Sequence, residues 1–325
     1  MLIAIQPAAA GACPAIRPQP EILGEKPMFK RLLVPLDGSR LAETTLPIVE
    51  RLATIENAPV SLLHVIERGA PASVHGDRHL TTVQEATAYL SSIAAKLQSA
   101  GIQTGEHTHE VPQGNIARSI ADHAEEEHAD LIALCTHGHH RVKELVFGTI
   151  AQQVLRCGTT PVLLARPAEE SLPSPFAPRT VLVPLNGTAA AEVALAPAQH
   201  LARALHAGLH LVMVVPTVGT ERRPAATLLP RTSQAILQLE EQDAEGYLEQ
   251  VAATLRAPDL PVTTDVHRGA AAPTLADETA VHDAGLVVVA THGHRGLEAI
   301  FAGSVTAALL ARIQAPVLLL RHGEA

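Results

Sequence analysis

The stretch Leu32-Leu33-Val34-Pro35-Leu36-Asp37-Gly38-Ser39 is answered 149 residues later by Val181-Leu182-Val183-Pro184-Leu185-Asn186-Gly187-Thr188. An apolar run that meets a proline, then an Asp or Asn, a glycine and a hydroxyl residue, reads as a buried strand turning into a helix. At the same offset Glu43, Leu46, Leu52, Ala53 and Val65 recur as Glu192, Leu195, Leu201, Ala202 and Val214. Tyr89, Leu90 and Leu97 recur as Tyr247, Leu248 and Leu255 at an offset of 158, which predicts nine extra residues in the intervening loop of the second copy. The offset then settles at 155, where Gly114 matches Gly269, Thr136-His137-Gly138-His139 matches Thr291-His292-Gly293-His294, Gly148 matches Gly303, and Pro161-Val162-Leu163-Leu164 matches Pro316-Val317-Leu318-Leu319. A period this long is two homologous domains in succession, at residues 28–166 and 179–321. Residues 167–178 hold four prolines and no apolar period, and read as a short, stiff linker.

Within the first copy, β-branched or Leu-rich runs at residues 31–35, 60–66, 107–111, 131–135 and 162–165 alternate with stretches of helical period. Val83, Ala86, Leu90, Ile93, Ala94 and Leu97 fall on one helical face, and Gly101 follows where a C-cap belongs. Strands without polar alternation, separated by helices, predict α/β domains, each a doubly wound parallel sheet of five strands covered on both faces. In such sheets ligands bind beyond the carboxyl ends of the strands, where the strand order reverses.

Composition narrows the function. The chain has 325 residues, 47% hydrophobic and only 2% aromatic, so its cores are aliphatic and stacking platforms for single-stranded nucleic acid are not expected. With 24 Lys+Arg against 33 Asp+Glu, a formal charge of −9 repels a phosphate backbone, and no nucleic-acid partner is expected. Cys13, Cys135 and Cys157 form neither an even disulfide framework nor a CxxC pair, which suits a reducing cytoplasm. No apolar run approaches the ~20 residues that cross a bilayer, so a soluble, cytoplasmic protein without a membrane partner is expected. Residues 1–27 are rich in Ala and Pro, lack the basic start and sustained apolar stretch of a secretory signal, and are expected to be a disordered tail. Met28-Phe29-Lys30 would serve as a natural beginning.

Two loops are placed to carry chemistry. Pro35 to Ser39 reads first as an ordinary strand-to-helix turn with an N-cap. The segment Thr136-His137-Gly138-His139-His140-Arg141-Val142-Lys143-Glu144-Leu145-Val146-Phe147-Gly148-Thr149 is more specific. Gly138 and Gly148 enclose nine residues and Gly148-Thr149 opens a helix, and Gly293, nine residues and Gly303-Ser304 repeat the arrangement. Glycine followed by Ser or Thr at a helix start lets backbone N–H groups close on an anion favoured by the helix dipole. Neither loop has the Gly-Lys-Ser/Thr of a Walker A motif.

Together, VPLDGS at the first strand, LHV at the second, THG with nine residues before Gly-Ser/Thr, and PVLLL at the last strand resemble the universal stress protein family over nearly the whole of both copies. The resemblance implies tandem flavodoxin-like domains whose last strands often pair, and ATP binding in members that keep Gly, two residues, Gly, nine residues, Gly-Ser/Thr. By position it places Pro35 and Asp37 at the adenosine, the Val65 backbone at the adenine edge, and Gly138, Gly148, Thr149 and the Ile150 amide around the phosphates. In the second copy the matching residues are Pro184, Asn186, Val214, Gly293, Gly303, Ser304 and Val305. Two departures stand out: the family's first glycine is Cys135 in one copy and Ala290 in the other, and Asn186 replaces the acidic residue. If Cys135 rotates away, the charge of Asp37 makes the first site the tighter one.

Other groupings carry less. His137, His139 and His140, and His107 with His109, lack the converging carboxylate or cysteine of a zinc site, and no metal is expected; the other histidines read as exposed polar residues. Cys135 with His137 lacks a third orienting group for nucleophilic catalysis. Glu125-Glu126-Glu127 and Glu240-Glu241 read as solvated helix faces. The sequence thus predicts a tandem universal stress protein that binds ATP, with or without magnesium, in one or both domains and regulates a stress response without catalysis, with a homo-oligomer or a protein partner expected. The alternatives are a nucleotide-free interaction module and a slow ATPase or nucleotidyl hydrolase.

Overall fold

The computed structural model describes residues 26–69, 73–74, 77–136, 149–166, 175–215, 217, 230–292 and 305–322. The first half runs β1 (Leu32–Pro35), α1 (Leu46–Glu56), β2 (Val60–Glu67), a small hairpin of β3 (Ser73–Val74) and β4 (Asp77–Arg78), α2 (Val83–Ser99), β5 (Thr104–Val111), α3 (Ile116–Glu126), β6 (Leu131–Cys135), α4 (Thr149–Cys157) and β7 (Val162–Ala165). The second half runs β8 (Thr180–Leu185), α5 (Ala189–Glu192), α6 (Leu195–Ala204), β9 (Gly208–Val215), α7 (Pro230–Leu255), β10 (Val262–Arg268), α8 (Ala271–Val281), β11 (Ala284–His292), α9 (Val305–Leu310) and β12 (Val317–His322).

The five strands of each half join one ten-stranded sheet, in the order β10-β9-β8-β11-β12-β7-β6-β1-β2-β5. Pairing is parallel inside each half, and the halves meet where β12 runs antiparallel to β7, with Leu318 opposite Leu163 and Leu319 opposite Val162. Helices cover both faces. Leu52, Leu90, Leu201 and Leu248 of α1, α2, α6 and α7 pack on one, while Ile120, Val154, Leu275 and Leu309 of α3, α4, α8 and α9 pack on the other. Alternate residues of the junction strands feed both layers, Leu163 and Leu318 into the first and Val162 and Leu319 into the second, so each apolar layer continues across the two halves.

Polar contacts reinforce that junction. His200 Nε2 lies 2.7 Å from Oε1 of Glu56, whose Oε2 accepts from the Met28 N–H at 2.8 Å. Arg166 donates to Ile313 O at 3.0 Å, and Arg321 donates to Gly158 O. Phe29 is buried in the first apolar layer. Residues 1–25 of the expected tail and 167–174 of the expected linker lie outside the described residues. Beyond them, Phe176 packs on the core, and a Cβ on Gly285 would come within 2.7 Å of Pro178.

Three sequence expectations are corrected. The third strand begins at Thr104, not residue 107, because β5 is a sheet edge whose polar start, Thr104-Gly105-Glu106, carries no apolar signal. The extra residues of the second copy do not all sit in a loop: α7 has 26 residues against 17 in α2, because the added sequence is rich in helix formers behind Pro230 at the helix start. Val83 opens α2 but is 46% exposed, off the buried face formed by Ala86, Leu90, Ile93, Ala94 and Leu97. Gly101 does stop the helix: it has φ +85°, its N–H donates to Gln98 O and the next N–H donates to Leu97 O, a Schellman closure.

Candidate functional site

Both halves turn the chain after their first strand in the same way. Gly38 has φ +86°, a conformation that favours glycine, and a Cβ there would also press on the Leu80 side chain at 2.8 Å. Asp37 Oδ1 accepts from the Ser39 N–H at 2.9 Å and the Ser39 hydroxyl at 2.6 Å, and Ser39 Oγ accepts from the Ala42 N–H at 3.2 Å. In the second half Asn186 Oδ1 accepts from the Thr188 N–H at 3.2 Å and its hydroxyl at 2.7 Å, and Thr188 Oγ1 accepts from the Ala191 N–H at 3.3 Å. The acid-to-amide change therefore leaves the turn intact.

The turn also ends the strand early, which exposes the backbone of its neighbour. Leu36 N–H donates to Leu63 O at 2.8 Å, and the β1–β2 ladder stops at Pro35 opposite Leu63. Backbone polar groups alternate sides along a strand, so Val65 N–H and C=O face the β1 side, beyond the end of β1. The second half repeats this: Gly208 N–H donates to Arg179 O, so Val214 faces β8, whose ladder stops at Leu185 opposite Met213. Strand order reverses at β1 and at β8, with β2 and β6 flanking one and β9 and β11 the other. The crevice expected of a doubly wound sheet opens there.

Across the crevice in the first half, Cys135 at the end of β6 is buried, with Sγ 3.3 Å from Thr44 Oγ1. Burial pushes its thiol up to about 11 against the lowering hydrogen bond from Thr44, and Asp37 adds to the rise. At neutral pH it is a thiol, and it is held rather than free to rotate away. The second half has Val193 and Ala290 at these positions, without a polar bridge. α4 begins at Thr149 and Ile150 packs on the core behind it, while Val305 opens α9 and is 47% exposed. Gly138, Gly148, Gly293, Gly303 and Ser304 lie outside the described residues, as does the side chain of Thr149.

The profile of the universal stress protein family matches residues 28–166 and again residues 178–321. The chain belongs to the universal stress protein family. A universal stress protein of Mycolicibacterium smegmatis is 24% identical over 314 residues, covering 89% of this chain and 96% of the relative. Universal stress protein YxiE of Bacillus subtilis is 27% identical over 151 residues, covering 43% of this chain and 100% of the relative. The crystal structure of a universal stress protein from Archaeoglobus fulgidus shares the fold at a TM-score of 0.61 and 16% identity, over 90% of this chain and 97% of that one. Among the described residues no helix is long and apolar enough to cross a membrane.

In this universal stress protein the site has supports that the motifs do not announce. His64 is buried in β2, with Nδ1 2.7 Å from Leu36 O and Nε2 3.3 Å from Leu80 O, so it pins the turn that follows β1. Its signal was an ionisable residue inside an otherwise apolar strand. The repeated Glu and Tyr meet beside each turn: Tyr247 donates to Glu192 Oε1 at 2.8 Å, and the Tyr89 hydroxyl faces Glu43.

The reading of the histidines as exposed is also corrected, because His64, His79, His123 and His210 are buried. Glu127 and Glu241 are not simply solvated, since Arg31 lies 3.0 Å from Glu127 and Arg268 donates to Glu241. Burial lowers His64, helped by His79 and opposed by the Leu36 and Leu80 carbonyls and Asp37. Burial likewise lowers His123, helped by His109 and His107 and opposed by Glu127 and Glu126. Both stay neutral in the fold while the unfolded chain takes up protons near the ordinary value of 6.5. Their contribution is complete above that value and is lost as the pH falls toward the folded-state values. The urea midpoint should therefore drop between pH 8 and about 5.5, and His64→Gln should flatten the slope if it folds; a midpoint constant over this range contradicts the assignment.

Proposed function

We propose that this universal stress protein binds ATP at the carboxyl end of the sheet in one or both halves and acts as a nucleotide-dependent regulator of a stress response, without catalysis. The carrying observation is the pair of backbone edges at Val65 and Val214, each beyond the end of its neighbouring strand and beside a glycine turn. An N–H and a C=O so placed offer a donor and an acceptor to the edge of adenine, which needs no tryptophan to be recognised. Gly148, Thr149 and the Ile150 amide, and Gly303, Ser304 and Val305, would take the phosphates, the first set at the start of α4, where helix N–H groups and the dipole favour an anion. The buried thiol of Cys135 offers no nucleophile at neutral pH. Because β7 and β12 pair within the chain, a homo-oligomer or protein partner would dock on another surface.

At ~100 times its dissociation constant a ligand adds about 2.7 kcal/mol to the native state. The melting temperature of the full chain should rise with millimolar ATP and magnesium, and the supernatant of denatured protein should release adenine nucleotide by mass. Neither a shift nor a released nucleotide would leave the interaction module, which the Thr44 to Cys135 bridge across the first crevice favours.

A further inference from the structure

Far from that crevice, β9, β10 and α8 bring together His210, Asp265, Glu278 and His282, whose donor atoms all lie within 4.8 Å of one another. The strand register and the helix period explain the meeting. His210 sits opposite Thr263 across the β9–β10 ladder, Asp265 is two residues further on the same face, and Glu278 and His282 are one turn apart at the carboxyl end of α8. His282 Nε2 is 3.2 Å from both Asp265 Oδ2 and Glu278 Oε2, and His210 Nε2 is 3.7 and 3.8 Å from the same two oxygens. Four tetrahedral donors around an ion at about 2.0–2.1 Å stand about 3.3 Å apart; the nitrogen-to-oxygen separations are close to that, and the His210 and His282 rings, stacked at 3.7 Å, would turn to aim both Nε2 atoms at one ion.

A second observation points to a ligand. His210 is 0% exposed, and its Nε2 is buried without a hydrogen-bond partner. Nδ1 lies 2.9 Å from Thr263 Oγ1; with Nδ1–H donating there, Nε2 turns a lone pair toward two carboxylate oxygens. Lone pairs converging from an imidazole and two carboxylates suit a shared cation, and the Thr263 contact is the kind of outer hydrogen bond that orients a metal-ligating histidine. Burial, then His282, lowers His210 and favours the neutral form that ligates, against the charges of Asp265 and Glu278. His267 Nε2 stands 3.0 Å from the other Glu278 oxygen without a hydrogen-bonding angle.

We propose that His210, Asp265, Glu278 and His282 form a site for a divalent transition-metal ion of the zinc class, clipping α8 to the β9–β10 edge of the second half. Two imidazoles with two carboxylates favour zinc over magnesium or calcium, which prefer all-oxygen shells. His210 near the start of β9 and His282 past the end of α8 put the site toward the amino ends of the strands, away from the nucleotide crevice and independent of it. The equivalent corner of the first half brings together three donors rather than four, from His107, His123 and Glu127, and Arg31 takes one of the two Glu127 oxygens at 3.0 Å.

The test strips the full chain with a chelator and titrates it with zinc and with cobalt(II). The wild type should bind one ion tightly enough to compete with a chromogenic chelator, melt higher with zinc, and show the intense visible band of four-coordinate cobalt. His282→Gln and Asp265→Asn, at partly exposed ligands, should weaken binding at least about tenfold and remove the band, while His107→Gln should leave both unchanged. A wild type without the band, a band that persists in both ligand variants, or a band lost in His107→Gln would overturn the proposal.

Discussion

Replacing Gly148 and Gly303 together by Val is expected to lower ATP affinity by at least about a hundredfold while the fold survives. α4 begins at Thr149 and α9 at Val305, so both glycines stand at the entry to a helix whose first N–H groups have no partner within it. A β-branched side chain there holds a phosphate away from those groups. Hydrogen bonds to a charged acceptor contribute about 1.5–3 kcal/mol each, and losing two amounts to about two to four orders of magnitude in affinity. The apolar residues that anchor α4, Ala151, Val154 and Leu155, lie in the core and are untouched. Calorimetric titration of the double variant checks the expectation. An unaltered dissociation constant, with the wild type binding, would place the phosphates elsewhere.

What the sequence revealed was local, and what it hid was not. The eight residues ending at Ser39 contain everything that makes their turn, the apolar run, the acceptor, the glycine and the hydroxyl, so the strand, the turn and its repetition at Thr188 could all be read. The opening of α4 after Gly148 was legible for the same reason. The start of β5 was not, because an edge strand with polar residues lacks the apolar run that marks its neighbours. The nine extra residues could be counted from the repeat, but their helical state lay in propensity rather than in the offset. His64 and His210 were read as exposed polar residues although each sits in an apolar strand, because the groups they face, Leu36 O and the α8 carboxylate, are supplied by other elements.

The asymmetry between the halves changes once Cys135 is placed. The expectation of a tighter first site rested on the cysteine turning aside, and Thr44 holds it at 3.3 Å across the crevice instead. Asp37 and Asn186 make the same turn contacts through Oδ1, so the charge difference does not alter those contacts and would bear on any ligand in the crevice. A larger fixed side chain therefore opposes a better acceptor in the first half, and a smaller one accompanies a weaker acceptor in the second.

Two arginine side chains at the junction between the halves should each matter to stability. Arg166 follows β7, and Arg321 occupies the matching position in β12, 155 residues later. Each reaches into the other half: Arg166 donates to Ile313 O at 3.0 Å and Ala311 O at 3.4 Å, just past the end of α9, and Arg321 donates to Gly158 O, just past the end of α4. Carbonyls at a helix carboxyl end lack intrahelical partners, and a guanidinium there also complements the dipole. Each such charge-assisted contact is worth about 1.5–3 kcal/mol. Arg166→Ala and Arg321→Ala should each lower the unfolding free energy by about that much, and the double variant by about 3–6 kcal/mol, since they share no partner. Lysine at Arg166 should recover only part, lacking the planar fork that spans the Ile313 and Ala311 carbonyls. Urea denaturation of the wild type, the two alanine variants, their double and the lysine variant measures it. A double variant within about 1 kcal/mol of the wild type would mean that solvent already satisfies these carbonyls and that the apolar pairing of Leu163 with Leu318 and of Val162 with Leu319 holds the halves together unaided.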